Sequence, residues 1–100
     1  MTAQPGGDGI TITIKVFGGL REAFGRGEVQ LDLASGDTLS TAFERLNDRY
    51  PDATSTMLDG IDAGYLNVLI NGRNIHFLGG RTAQLSDRDS VAVLPPVGGG

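Results

Sequence analysis

Thr38-Leu-Ser-Thr-Ala-Phe-Glu-Arg-Leu-Asn-Asp-Arg-Tyr50 is the stretch in which apolar residues recur at helical spacing. Leu39, Ala42, Phe43, Leu46 and Tyr50 fall on one face, and Glu44, Arg45, Asp48 and Arg49 on the other. That pattern predicts an amphipathic helix lying on a core. Thr38 or Asp37 can cap its first turn, and Pro51 disfavours helix beyond Tyr50.

Upstream of this helix the period falls to two. Ile10, Ile12, Ile14 and Val16 alternate with Thr11, Thr13, Lys15 and Phe17, as in a strand with one buried face. A second strand is expected over Glu28 to Leu33, with Val29, Leu31 and Leu33 pointing one way. Gly18, Gly19, Gly25 and Gly27 punctuate the connection between them, which predicts a hairpin with a long loop. Residues Met1 to Gly9 are polar and glycine-rich with almost nothing to bury, and are expected to be a flexible leader.

Downstream, Asp, Gly and Ser dominate the connection from Pro51 to Gly64, where Met57 and Leu58 are expected to anchor a short irregular turn. Leu66 to Ile70 predicts a third strand. Asn71-Gly72 is a two-residue hairpin signal because both residues tolerate positive φ. A short fourth strand over Arg73 to Phe77 should follow, and Val91 to Leu94 supplies the last, entered by the polar turn Ser86 to Ser90. The order β-β-α-β-β-β describes an α+β fold, a β-grasp or ubiquitin-like roll: a mixed sheet with one main helix packed on one face. Periodicity alone leaves the strand order open. The chain therefore divides into a leader (1–9), a folded domain (10–94) and a flexible C-terminal tail (95–100).

One hundred residues suffice for a single domain. The net charge of −4 and pI near 4.6 lack the basic footprint that phosphate backbones require, so nucleic acid is not an expected partner. Without cysteine there is no disulfide framework, thiol nucleophile or cysteine-based zinc site. No signal-like segment or membrane-length apolar run is present, and a reducing cytoplasm is the simplest setting. The chain finishes on Val97-Gly98-Gly99-Gly100 after Pro95-Pro96. Glycines lack the Cβ that would jam in a narrow slot, while the two prolines stiffen the exit from the last strand. The terminal carboxylate of Gly100 is the expected working group.

Ile14-Lys-Val-Phe-Gly-Gly-Leu-Arg-Glu22, Ser35-Gly-Asp-Thr-Leu39, Val68-Leu-Ile-Asn-Gly72 and the run from Leu85 to Gly100 resemble the prokaryotic ubiquitin-like sulfur-carrier family. That family includes the small subunit of molybdopterin synthase and the carriers of thiamine and cysteine synthesis. The resemblance covers nearly everything from Ile10 onward, and the hydrophobic strand, Pro-Pro-Val and terminal glycines form its most specific part. It implies a carboxylate at Gly100 that a partner adenylates with ATP and Mg and that sulfide or a persulfide protein then converts to a thiocarboxylate. Gly98 and Gly99 would give access to the partner's channel, and Pro95, Pro96 and Val97 would form the tail exit. The chain itself binds no cofactor in this scheme and is a protein cosubstrate, not an enzyme. Phe17 to Glu22 and Pro95 to Val97 look most like the molybdopterin branch, in which a large synthase subunit is a further partner; cysteine and thiamine synthesis are alternatives. Two positions depart from the pattern. Gly98 makes a triple-glycine ending also found in thiamine-type carriers, and Arg88 stands where the family usually has glycine. A left-handed residue would cost Arg88 about 1–2 kcal/mol, so a turn of another type is expected there.

A ubiquitin-like modifier joined through Gly100 to a target lysine is the alternative from another class; Lys15, the only lysine, leaves little scope for self-linked chains. A passive β-grasp interaction domain would not need the tail. Other candidates read more simply as structure. His76 lacks partners for a metal site, Asp59 and Asp62 read as solvated turn carboxylates, and Gly79-Gly80 as a turn between short strands. Scattered Arg21, Arg26, Arg81 and Arg88 serve solubility more readily than docking. By strand parity Ile12, Ile14, Val16, Leu66, Val68, Ile70, Val91 and Val93 face the helix, leaving Phe17, Leu69 and Leu94, with Phe77 near them, on the uncovered face. These four are the expected partner-docking patch, unless loops 18–27 and 73–85 fold over them into a secondary core.

Overall fold

In the computed structural model, which describes residues 9–95, the first alternating run forms β1 (Gly9–Val16). It pairs antiparallel with β2 (Glu28–Ala34), Ile12 opposite Leu31 and Ile14 opposite Val29. The connection is not a bare loop. Gly19–Phe24 form a short helix, α1, that buries Leu20 and Phe24 one turn apart and ends at Gly25 with φ 77°. Leu20 and Phe24 are what bind this segment to the core, a helical pair too short to stand out among the glycines around it.

The central helix, α2 (Leu39–Arg49), buries Leu39, Ala42, Phe43 and Leu46. Thr38 is its cap, its hydroxyl accepting from the Thr41 N–H at 3.5 Å, whereas Asp37 turns back to accept from Ala34 N–H at 2.8 Å. Pro51 does end α2, but the expected irregular connection beyond it is a second helix of 12 residues, α3 (Pro51–Asp62). Pro51 occupies its first turn, where no N–H is required, and Thr54 N–H donates to Tyr50 O at 2.9 Å. Ala53, Thr54 and Met57 are buried, with Leu58 and Ile61 packed against the core. Gly64, at φ 85°, closes α3: Gly64 N–H donates to Ile61 O and Tyr65 N–H to Gly60 O, the paired bonds of a glycine-terminated helix. Thr54 Oγ1 is buried without a partner, which nothing in the structure explains.

β3 (Asn67–Ile70) runs into the Asn71-Gly72 turn, with φ of 51° and 85°. The expected fourth strand is cut short to β4 (Arg73–Asn74) because the Asn74 side chain accepts from the His76 N–H and starts a 3-10 turn over Ile75–Phe77. Gly79 and Gly80, both at positive φ, lead into a second 3-10 turn, Gly80–Thr82, so they do not join strands. β5 (Ser90–Leu94) completes the mixed sheet in the order β2-β1-β5-β3-β4, parallel to β1 and antiparallel to β3. This is the expected β-grasp architecture, with the strand order now fixed. Inward residues of β1, β2, β3 and β5 and the buried sides of all three helices form one core. No helix among the described residues is long and apolar enough to cross a membrane.

Candidate functional site

β5 is the middle strand of the sheet, with β1 on one side and β3 on the other. Val91 and Val93 are fully buried, and Val93 stands opposite Val16 and Val68 while Leu94 stands opposite Asn67. Pro95 is the last described residue. Pro96, Val97, Gly98, Gly99 and Gly100 lie outside the described residues, so the structure fixes where the tail is rooted.

Of the four expected docking residues, Leu69 and Leu94 occupy the sheet face away from the helices and are half-buried. Leu69 pairs with Ala92, two residues before Leu94. Phe17 follows Val16, the partner of Val93, which puts it at the same end as Leu94; it is 46% exposed. Phe77 stands apart from this end, on the 3-10 turn beyond the edge strand β4, and is 85% exposed. Loops 18–27 and 73–85 do not bury these residues as a secondary core. Their apolar residues Leu20, Phe24, Ile75, Ala83 and Leu85 join the main core instead.

An apolar cleft of about 600 Å³ adjoins the tail root, bordered by Phe17, Leu20, Ala63, Tyr65, Leu66 and Pro95. It exists because α1 and α3 are helices, and the loops expected for both segments would not form it. Gly60 and Gly64 were its available signals.

The arginines are separated by the fold. Arg21 and Arg26 border a shallow depression beside α1, Arg81 donates to Asp62 at 2.6 Å, and Arg88 lies in the Ser86–Ser90 turn. That turn does take the left-handed form, with Arg88 at φ 71°. Its N–H donates to Thr11 O at 2.7 Å, and Asp87 accepts from Thr11 N–H while Asp89 accepts from Ser86 N–H, so surrounding bonds hold the residue in its unfavourable region. Asp59 and Asp62 sit on α3, not in a turn, and with Glu44, Asp48 and Arg81 line a polar groove between α2 and α3 that includes no residue of β5. His76 is exposed. No group of three or more potential metal ligands occurs among the described residues.

A β-grasp body, a last strand clamped at mid-sheet and an apolar end around its exit define the class of ubiquitin-like carriers and modifiers. Residues 14–100 match the ThiS family, and the chain belongs to it. It is 34% identical over 71 residues to the sulfur carrier protein CysO of Mycobacterium tuberculosis, spanning 67% of this chain and 76% of that protein. The solution structure of small archaeal modifier protein 1 from Methanosarcina acetivorans superposes with a TM-score of 0.72 at 34% identity, over 94% of this chain and 100% of that one. A chain of the crystallised BexX/CysO complex of Amycolatopsis orientalis superposes with a TM-score of 0.62 at 26% identity, over 89% of this chain and 99% of that one.

Proposed function

We propose that this chain is a sulfur carrier whose Gly100 carboxylate is adenylated by an ATP-dependent partner and then carries sulfur as a thiocarboxylate. The observation that supports this best is the rooting of the tail: β5 is held by β1 up to Val93 and by β3 up to Leu94, and the sequence runs on from there to three glycines. A carboxylate resists nucleophiles because its charge is delocalised. Attack of its oxygen on the α-phosphate of ATP releases pyrophosphate and gives an acyl-adenylate with AMP as leaving group. Sulfide or a persulfide sulfur then adds to the carbonyl carbon and expels AMP; a persulfide route needs a thiol to reduce the resulting acyl disulfide. From Leu94 an extended tail spans about 20 Å, enough to enter an active site while the body docks outside.

In this reading the chain acts as cosubstrate, and Leu69 and Leu94 on the open face supply the docking surface, with Phe17 at the same end of the sheet. Phe77, at the far edge, serves that surface only for a partner broad enough to span the sheet. The molybdopterin branch is supported by Phe17 to Glu22 and Pro95 to Val97; the 34% identity to a CysO carrier favours that carrier's branch instead. Sulfur transfer from thiocarboxylated protein to each branch's acceptor enzyme separates them. Likeness to a small archaeal modifier protein supports the second reading, in which the activated Gly100 acylates a lysine. Deleting Gly99 and Gly100 tests the shared first step. Pyrophosphate exchange with the adenylating enzyme should be lost while the melting temperature stays unchanged, and normal exchange by the truncated chain contradicts the proposal.

A further inference from the structure

The cleft between α1 and α3 has no part in the chemistry above, which needs only the tail and the open sheet face. Its floor is Leu66, which lies against the bare backbone of Gly60; a Cβ there would stand 2.7 Å from Leu66 Cδ1. A glycine inside α3 therefore lets Leu66 pack flush against the helix beneath the cleft, although it lowers the helix propensity of that position. Leu20 lines it from α1, and Ala63 and Tyr65 from the end of α3. Tyr65 is 74% exposed and Phe17 46%, two large rings bordering the same space beside Pro95. Exposed aromatics around a concave apolar surface mark a place where another apolar group is received.

The length of chain beyond Pro95 selects the occupant. Gly100 is five residues on, so an extended tail carries it no more than about 18 Å away. An active site that holds Gly100 must therefore bring its rim against Pro95 and the cleft that Pro95 borders. The tail itself is a poor occupant. Between Pro95 and Gly100 it offers Val97 as its one bulky apolar side chain. A second copy seated on the cleft would cover the tail root of a carrier whose tail must be free.

We infer that the cleft receives a leucine, methionine or aromatic side chain projected by the enzyme that adenylates Gly100. The inference rests on the carrier reading and names the partner contact of that same site. Filling the cleft fixes the distance between the body and the adenylating centre, so that the short tail reaches its end point extended.

Ala63→Glu and Tyr65→Ser test it, both at exposed positions, with the organism's own adenylating enzyme in pyrophosphate exchange. Each should raise the KM for the carrier about tenfold and leave kcat within about twofold, with melting temperatures close to that of the parent chain. An unchanged KM in both variants overturns the cleft contact and leaves the carrier reading standing, because the parent chain is still adenylated. Absence of exchange with the parent chain removes the carrier reading and this contact with it. If deleting residues 96–100 shifts the Tyr65 and Leu66 resonances of the free protein, the tail is the occupant. If Tyr65→Ser dissolves a dimer seen by sedimentation, a second copy is. Either result overturns the inference.

Discussion

The two ends of the sheet are built on opposite principles. At the end where β5 begins, polar side chains close on one another. Asn71 Nδ2 donates to Asp89 at 2.8 Å while its carbonyl accepts from Ser90 N–H at 3.0 Å, and Asp87 and Arg88 hold Thr11 from either side. Two non-glycine residues, Asn71 and Arg88, sit at positive φ there. At the end where β5 finishes, Phe17 and Tyr65 are exposed and an apolar cleft lies open. One end satisfies its own groups; the other leaves apolar surface for a partner. The contrast assigns stability to the first and recognition to the second.

Substitutions that separate the two ends should therefore change different observables. The largest effect is expected from Gly99→Leu, which leaves the body intact and puts a side chain into the partner's channel. Adenylation should fall below detection, and undiminished thiocarboxylate formation would show that the channel is wide. Leu69→Asp on the open face should weaken partner binding by about tenfold or more, near 1.4 kcal/mol. Its cost in stability should stay under about 1 kcal/mol, and a large loss of stability without a binding defect would make Leu69 structural.

Asn71→Asp acts on the opposite end. It removes the amide donor and sets a carboxylate beside Asp89, so urea denaturation should show a loss of about 1–2 kcal/mol, with the KM for the adenylating enzyme unmoved. A raised KM would show that the two ends are coupled. The smallest change is Arg88→Gly, which relieves a left-handed backbone and should stabilise by about 1 kcal/mol. The exposed Arg88–Asp87 pair, 3.8 Å apart, gives up little.

The alternation of Ile10 to Val16, the helical face of Leu39 to Tyr50 and the Asn71-Gly72 turn were legible because each repeats a period or needs a particular backbone angle. Those patterns give each element its type and buried face, and the strand order came only from the pairing. α3 was hidden because its buried residues include Ala53 and Thr54, which carry little hydrophobic signal, and because Gly60 and the aspartates resemble a loop; Gly64, the residue that ends the helix, marks only the end of a connection in the sequence. α1 depends on Leu20 and Phe24 finding space in the main core beside α3, which no local window contains. The shortened β4 turned on one side-chain bond, from His76 N–H to Asn74. Arg88 illustrates the limit in the other direction: its φ is imposed by bonds from Thr11, 77 residues away in sequence, against its own preference.

Leu69 and Leu94 on the open face followed from strand parity, whereas the cleft beside Pro95 required the helices. The chemistry assigned to Gly100 can be tested without any partner in hand. Intact mass spectrometry of the protein isolated from its own cells should show a species heavier than the unmodified chain by the difference between sulfur and oxygen, and this species should disappear when Gly100 is deleted. Only unmodified chain under conditions of active sulfur metabolism, or only much heavier conjugates, would contradict the carrier account.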